Sequence, residues 1–188
     1  MLNTVFGTLS SGVAASTSSY ESIATATGTG SSGTITFSSI PSTYKHLQIR
    51  GFSLSTAGVN ASTITVRFNS DSGSNYAYHR LLGDGAAVYS VGSATQTSMF
   101  LGGAIAGTNV ANVGGATIID IIDYASTSKY KTLRSFNGSD GNTGGGVYYL
   151  ELDSGLWQST SAINSISLIS GAANFTTSTT FALYGIKG

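Results

Sequence analysis

Two carboxylates, Glu151 and Asp153, come closer than any other residues of this chain to the spacing of a hydrolytic pair. They are two positions apart in a segment, 147–153, that we predict to be a β-strand, so both side chains point to the same face. Positions i and i+2 of a strand lie roughly 6.5–7 Å apart, which would suit a glycoside-cleaving pair. The same spacing is equally typical of a solvated strand face. No further residues complete a catalytic constellation, and we therefore expect no enzymatic activity.

Oxygen-bearing side chains alternate in a second segment, Asn69-x-Asp71-x-Gly73-x-Asn75. The spacing is faintly like that of a calcium loop, but the additional acidic residues and the terminal bidentate Glu of an EF-hand are missing. Asx turns, in which Asn and Asp side chains accept bonds from nearby backbone N–H groups, explain the same residues. We predict a polar surface loop and assign no metal and no cofactor, with calcium left as an open alternative.

The remaining motifs predict structure and no chemistry. Gly28-Thr-Gly30-Ser-Ser-Gly33 matches a dinucleotide fingerprint, but that motif must open a helix, and here the alternating residues 34–37 follow. The two histidines, His46 and His79, lie on predicted strands, where packed side chains are the common outcome. The chain has no cysteine, which excludes disulfides and thiolate metal sites.

The whole-chain composition bounds the class of protein. Charged residues make up only 9% of the 188 residues, against roughly 25% in ordinary soluble domains. Eight basic and eight acidic residues give a net charge of zero, without a basic cluster, so we expect no nucleic-acid partner. We also expect no membrane partner and no signal peptide, since the first basic residue is Lys45 and no apolar run is long enough to span a bilayer. A surface rich in Ser, Thr and Gly suits a protein that neighbouring subunits cover.

Alternating patterns dominate from residue 20 onward. About eleven strands recur at intervals of 8–14 residues, with no helical pattern among them, which predicts one all-β domain over residues 20–188. We expect an antiparallel β-sandwich of jelly-roll type. Residues 62–68 and 76–82 are predicted to pair as a hairpin around the Asn69–Asn75 loop, and residues 155–158 to form a short turn. The segment 116–124 is predicted to be a central strand that pairs with residues 130–136.

The first 19 residues form a separate N-terminal docking arm in this interpretation. Apolar residues recur there at helical spacing, yet Gly7 and Gly12 weaken an isolated helix, so the arm is expected to be extended or partly helical. An arm with apolar side chains and no core of its own most simply docks on a partner. The expected assembly residues are Leu2, Val5, Phe6, Leu9 and Val13.

Aromatic residues near predicted strand ends indicate a contact surface. Exposed tyrosine and tryptophan rings suit either a subunit interface or stacking on a glycan. We expect Asp71, Asn75, Tyr76, Tyr78 and Trp157 to contact a receptor or another subunit.

Two stretches resemble small virion proteins of tailed bacteriophages. One is SSYESIATATGTGSSGTITFSSIPSTYKHLQIRG, with its Tyr-Glu-x-Ile and Ile-Pro-Ser-Thr-Tyr-x-His-Leu-x-Ile-Arg patterns; the other is VRFNSDSGSNYAYHRLLGDG. The ending ALYGIKG is similar as well. The resemblance covers most of residues 19–85 and the last strand, and no catalytic residues come with it.

The resemblance implies a non-enzymatic structural protein that is made in the host cytoplasm and located in the virion. The expected partners are other capsid or tail subunits, in a homo-oligomer for which a trimer is favoured. A head decoration or cement protein that assembles on the capsid through its N-terminal arm is the first hypothesis. A receptor- or glycan-binding module of a tail fibre or tail tip, contacting a host surface glycan, is the alternative.

Overall fold

The structure, a computed structural model, describes residues 18–106, 112–141 and 148–188. These residues form strands and loops, and among them no helix is long and apolar enough to cross a membrane. The strands are β1 (Tyr20–Thr27), β2 (Thr34–Phe37), β3 (His46–Ser55), β4 (Ala61–Phe68), β5 (Tyr76–Gly83), β6 (Val88–Gln96), β7 (Met99–Ala106), β8 (Gly115–Ile122), β9 (Lys131–Gly138), β10 (Leu150–Trp157), β11 (Ile166–Ser170) and β12 (Thr180–Ile186).

The strands form two antiparallel sheets. Sheet A has eight strands in the order β1-β12-β3-β8-β9-β10-β5-β6, and sheet B has four in the order β2-β11-β4-β7. A short parallel contact between the end of β3 and β7, at Leu54 and Ile105, joins the two sheets. The predicted all-β class and β-sandwich are confirmed.

A single apolar core lies between the sheets. In β4, exposure alternates strictly, and Ile64, Val66 and Phe68 are fully buried on the inner side. Ile119 and Ile121 of β8 face them from sheet A, and both are fully buried. The burial of each such side chain stabilises the fold by roughly 1.5–3 kcal/mol. The alternation of apolar residues along β4 therefore determines which face of the strand turns toward the core.

The predicted hairpin over residues 62–82 is wrong. β4 lies between β11 and β7 in sheet B, whereas β5 lies between β10 and β6 in sheet A. The chain leaves β4 through Asn69 and Ser70, which both adopt left-handed backbone conformations with φ near 51° and 58°. The Asn69 side chain bonds the carbonyl of Ala162 and accepts from the amide of Asn164, which holds the turn against the loop before β11. The Asn69–Asn75 loop therefore connects two sheets.

Other boundaries differ in smaller ways. β10 continues to Trp157, so the predicted turn at residues 155–158 is wrong; Gly155 is paired on both sides, with Leu133 and Tyr78. The predicted pairing of residues 116–124 with residues 130–136 is confirmed by β8 and β9. Residues 18–106, 112–141 and 148–188 contain twelve strands, against about eleven expected.

The docking arm lies outside the described residues. The structure describes the chain from Ser18 onward, so Leu2, Val5, Phe6, Leu9 and Val13 keep their role as a prediction.

Candidate functional site

The Asn69–Asn75 loop is held by the carboxylate of Asp71. One oxygen, Oδ1, accepts from the amide of Gly73 at 2.8 Å. The other, Oδ2, accepts from the indole N–H of Trp157 at 2.7 Å and from the Asn75 side chain at 2.9 Å. These donors, Trp157 first, hold the pKa of Asp71 below its usual value. The loop is thus an Asx turn tied to β10, and its carboxylate oxygens already have partners.

Tyr76 and Trp157 do not offer exposed rings. Tyr76 is fully buried and Trp157 is 2% exposed, and the two rings stack with centroids 6.4 Å apart. The Tyr76 hydroxyl donates to the carbonyl of Asp71 and accepts from the amide of Phe68, both at 3.1 Å. The expectation of exposed contact rings at these two positions is corrected: they pack beneath the loop because the sheet switch after β4 brings both onto the core side.

The other expected contact residues remain accessible to different degrees. Asp71 is half-buried and Asn75 is exposed at the loop. Tyr78 is half-buried on β5 and packs its ring 5.9 Å from that of Phe100. Contact with a receptor or a second subunit through these three residues stays a prediction.

The pair Glu151 and Asp153 lies inside the sandwich and not on a solvated face. Both side chains point inward from β10 and are 3% and 4% exposed. The register places Arg80 of β5 directly opposite Asp153. Its Nη2 donates to Glu151 at 2.8 Å, and its Nε lies 3.5 Å from Asp153 Oδ1, an ion pair without hydrogen-bond geometry. One guanidinium therefore serves two buried carboxylates.

Polar side chains of β9 complete this cluster. Ser135 and Asn137 lie opposite Asp153 and Glu151 in the register of β9 with β10. Both donate to Asp153 Oδ2, Ser135 at 2.9 Å and Asn137 at 2.8 Å. On the opposite sheet, Gly102 of β7 adopts φ +80, and a Cβ there would lie 2.5 Å from Glu151 Oε2. The absence of a side chain at Gly102 makes room for the carboxylate.

Burial sets the protonation of this cluster. It raises the pKa of Asp153 to about 6, and the charge of Glu151 adds to the rise. Burial also raises the pKa of Glu151, while the guanidinium of Arg80 opposes that rise. Carboxyls with raised pKa values are typical of general acids. Here, however, Glu151 Oε2 and Asp153 Oδ1 are buried atoms without a hydrogen-bond partner among the described residues, and the guanidinium of Arg80 is bound to the pair.

A cavity of about 500 Å³ opens beside the cluster, between the two sheets. Arg80 lies in its wall with the guanidinium carbon 3.6 Å from the centroid of Phe100. Asp84, at the start of the β5–β6 turn, accepts from the amides of Ala86 and Ala87. The aromatic wall consists of Tyr89, Phe100 and Tyr149.

The outer face of sheet A carries a contiguous exposed patch, which we call the apolar face. Its members are between 40% and 75% exposed, far more than core residues of the same types. They lie in two neighbouring rows across six strands, which the strand register defines. The residues are Phe52, Leu81, Val88, Ile118, Phe136, Leu150 and Leu152.

Sequence reasoning missed Arg80, Ser135, Asn137 and the apolar face. In the alternating strand β5, Arg80 is on the opposite face from His79 and Leu81. A single charged residue on the inward, mostly apolar face was the sequence feature that could have indicated a buried ion pair. Its partners on β10 are 71 residues or more away, so only the register of the folded sheet brings them together. The described residues contain no group of three His, Cys, Asp or Glu side chains placed to hold a metal ion.

Comparison of the chain with family models, with characterised proteins and with solved structures found no match.

Proposed function

We propose that this chain is a non-enzymatic structural protein of a tailed-bacteriophage virion, and specifically a head decoration or cement protein. The observation that carries the proposal is the apolar face of sheet A. Contiguous apolar patches are uncommon on soluble monomers, and they mark surfaces that bind other macromolecules. The resemblance of residues 19–85 to small phage virion proteins supports the same role.

The charge distribution favours an assembly role. With charged residues at 9% of the chain, most of the surface can be covered by a neighbour without leaving unpaired charges. The carboxyl pair with raised pKa values, Glu151 and Asp153, is almost fully buried and paired with Arg80, which favours a role in the folded interior.

The finer features of the sequence interpretation belong to this proposal. The strands connect as a jelly roll, and residues 1–19 dock on capsid subunits as an arm. The protein assembles with other virion proteins and with copies of itself, for which a trimer is the sequence-based expectation.

A receptor- or glycan-binding module of a tail fibre or tail tip is the second candidate. The cavity beside Arg80 favours it, because aromatic walls with a few polar groups are typical of small-ligand sites. Alanine at Tyr89 or Tyr149 should then lower adsorption to host cells, whereas a decoration protein should tolerate both changes.

The copy number in purified particles tests the proposal. Quantitative gel densitometry should give hundreds of copies per virion for a head decoration protein, since it must cover a capsid lattice. A few to a few dozen copies would point to the tail, and absence from particles would contradict the proposal. Removal of residues 1–18 should abolish incorporation; unchanged incorporation would contradict docking through the arm.

A further inference from the structure

We infer that the apolar face of sheet A is covered by the same face of a second copy of this chain, related by a two-fold axis. This inference rests on the proposed assembly function, names the partner of that surface, and replaces the trimer expected from the sequence with a two-fold pair. It is carried by the shape of the face, by its charge and by its extent.

The first row of the face alternates projections and hollows. Cross-strand pairing places Leu150 between Gly138 of β9 and Gly83 of β5, with Val88 beyond Gly83 on the edge strand. Leu150 projects with 57% of its surface exposed, while the glycines on either side have no side chain. A two-fold contact requires a surface that is complementary to itself, so that a projection and a hollow must occur on the same patch. Leu150 and its neighbouring glycines meet that requirement.

The second row adds a continuous apolar strip. Ile118, Phe136, Leu152 and Leu81 are consecutive cross-strand neighbours from β8 to β5. Between the two rows lies a depression of about 240 Å³ whose wall includes Leu81, Val88, Phe136, Leu150 and Leu152. A side chain of the facing copy would enter this depression.

The charges of the face lie at its edge. From β8 to β6, neither row contains a charged residue, and the β3 end of the second row is Arg50, which donates to Gln48 at 2.7 Å. The next row is polar, and there Asp120 accepts from Gln48 at 2.8 Å and lies 3.9 Å from Arg134. Such an apolar centre with a polar rim is the anatomy of a protein–protein interface. The uncharged centre suits an identical face, because two copies bring no like charges together there.

The extent of the face fits the centre of a dimer contact. Six strands at about 4.8 Å and two rows at roughly 7 Å give a projected patch on the order of 350 Å². A stable interface needs about 800 Å² per partner, so the polar rim must be included in the contact. Two pleated apolar faces stack at about 10 Å with their strands nearly aligned, which supplies that larger contact.

Because the chain has no cysteine, single cysteines report directly on the axis. Leu150→Cys should cross-link to itself with a short bis-maleimide reagent, since a two-fold axis near the patch centre brings the two copies of that position to about the 10 Å separation of stacked sheets, which is too far for a disulfide. Val59→Cys, an exposed apolar position in the β3–β4 loop, is the matched control and should not cross-link.

Light scattering after gel filtration should give twice the chain mass for the wild type and for Val59→Glu. Leu152→Glu should shift the mass to that of one chain.

Each outcome decides the inference. A wild-type dimer that Leu152→Glu dissociates, with self-cross-linking at Leu150→Cys, supports it. A monomeric wild type overturns it, and so does a trimer without the cross-link. If a dimer or trimer dissociates only when residues 1–17 are removed, the inference is also overturned, because the arm would then hold the copies together. Copy number per virion tests the proposed function separately, so a monomer found in hundreds of copies would overturn only the inference.

Discussion

The guanidinium of Arg80 and the carboxylate of Glu151, on neighbouring strands of sheet A, form a 2.8 Å hydrogen-bonded ion pair in the interior of the sandwich. Arg80 is 15% exposed in its side chain and Glu151 is 3% exposed, so water contributes little to either charge. Buried pairs of this kind add little stability relative to apolar residues of the same volume, but removing one partner leaves an uncompensated charge. The consequence for this chain is asymmetric: Arg80 is the one cation that offsets both Glu151 and Asp153 in this cluster.

Replacing Arg80 with Met should therefore strongly destabilise the fold. We expect a loss of about 3–5 kcal/mol in the free energy of unfolding at pH 7.5, measured by urea denaturation, because two buried carboxyls lose their counter-ion. The loss should shrink at pH 5, where Asp153 is protonated. Arg134→Met is the matched control, since Arg134 is 73% exposed and its ion pair with Asp120 spans 3.9 Å. That variant should stay within about 0.5 kcal/mol of the wild type; equal losses at both positions would contradict the expected role of Arg80.

Acidification from pH 7.5 to pH 5 should stabilise the protein. Burial raises the pKa of Asp153 to about 6 in the folded state, above its ordinary value, so the folded state binds a proton more tightly than the unfolded chain. That contribution is fully present below the unfolded pKa and is lost as the pH rises through the folded pKa. We expect a gain of about 1 kcal/mol at pH 5, or roughly 2–4 °C in Tm. Asp71 and Asp84, whose pKa values are lowered, oppose the gain only at lower pH.

Asp153→Asn isolates this effect. The amide does not titrate, so thermal melts of the variant should show at most half of the wild-type rise in Tm between pH 7.5 and pH 5. An identical rise in wild type and variant would show that Asp153 is not the titrating group.

Gly102 should not tolerate a side chain. Its φ of +80 strains any other residue, and a Cβ would lie 2.5 Å from Glu151 Oε2 and 2.7 Å from Asn137 Nδ2. The pairing of β7 with β4 is irregular at this point, which is typical of a β-bulge built around a glycine. Gly102→Ala should therefore cost about 1–3 kcal/mol of unfolding free energy.

The control for Gly102→Ala is Gly138→Ala. A Cβ at Gly138 meets only Leu150 Cδ1, at an ordinary 3.5 Å. With both glycine variants made in the Leu152→Glu background, where the two copies are expected to stay apart, Gly138→Ala should change the free energy of unfolding by less than about 0.5 kcal/mol. Similar losses in the two variants would mean that the bulge accommodates a side chain after all.

Local alternation predicted the strands well and their partners less well. The inward residues Ile64, Val66 and Phe68 follow from a period of two. The pairing of β8 with β9 was also predicted, although their connection, residues 123–130, is no shorter than the one between β4 and β5. The separation of β4 and β5 into different sheets was not predictable, because two strands joined by seven polar residues look the same whether they pair or diverge. The left-handed backbone at Asn69 decides the matter, and its side-chain partners lie more than 90 residues away.

The apolar face was hidden for a related reason. Ile118 and Ile119 are adjacent isoleucines on opposite faces of β8, so residue type alone does not tell that Ile118 faces solvent while Ile119 faces the core. Only the register shows that Ile118, Phe136 and Leu152 are neighbours on one surface. Arg80 and Glu151 were likewise separate residues in the sequence, and long-range pairing alone brings their charges together.

Trp157→Phe should destabilise the connection between the sheets. The change removes the indole donor that lies 2.7 Å from Asp71 Oδ2 and trims a ring stacked on Tyr76. Hydrogen bonds to a charged partner contribute about 1.5–3 kcal/mol, and we expect a loss in that range by urea denaturation. The pKa of Asp71 should rise at the same time, since Trp157 is the largest cause of its low value; a carboxyl-carbon NMR titration measures this directly. Tyr130→Phe, at a tyrosine that is 54% exposed, is the control and should change neither quantity. Because Trp157 is buried, its loss should act on stability and on the Asp71 titration, and an unchanged pKa for Asp71 would contradict the hydrogen bond as the link between the loop and β10.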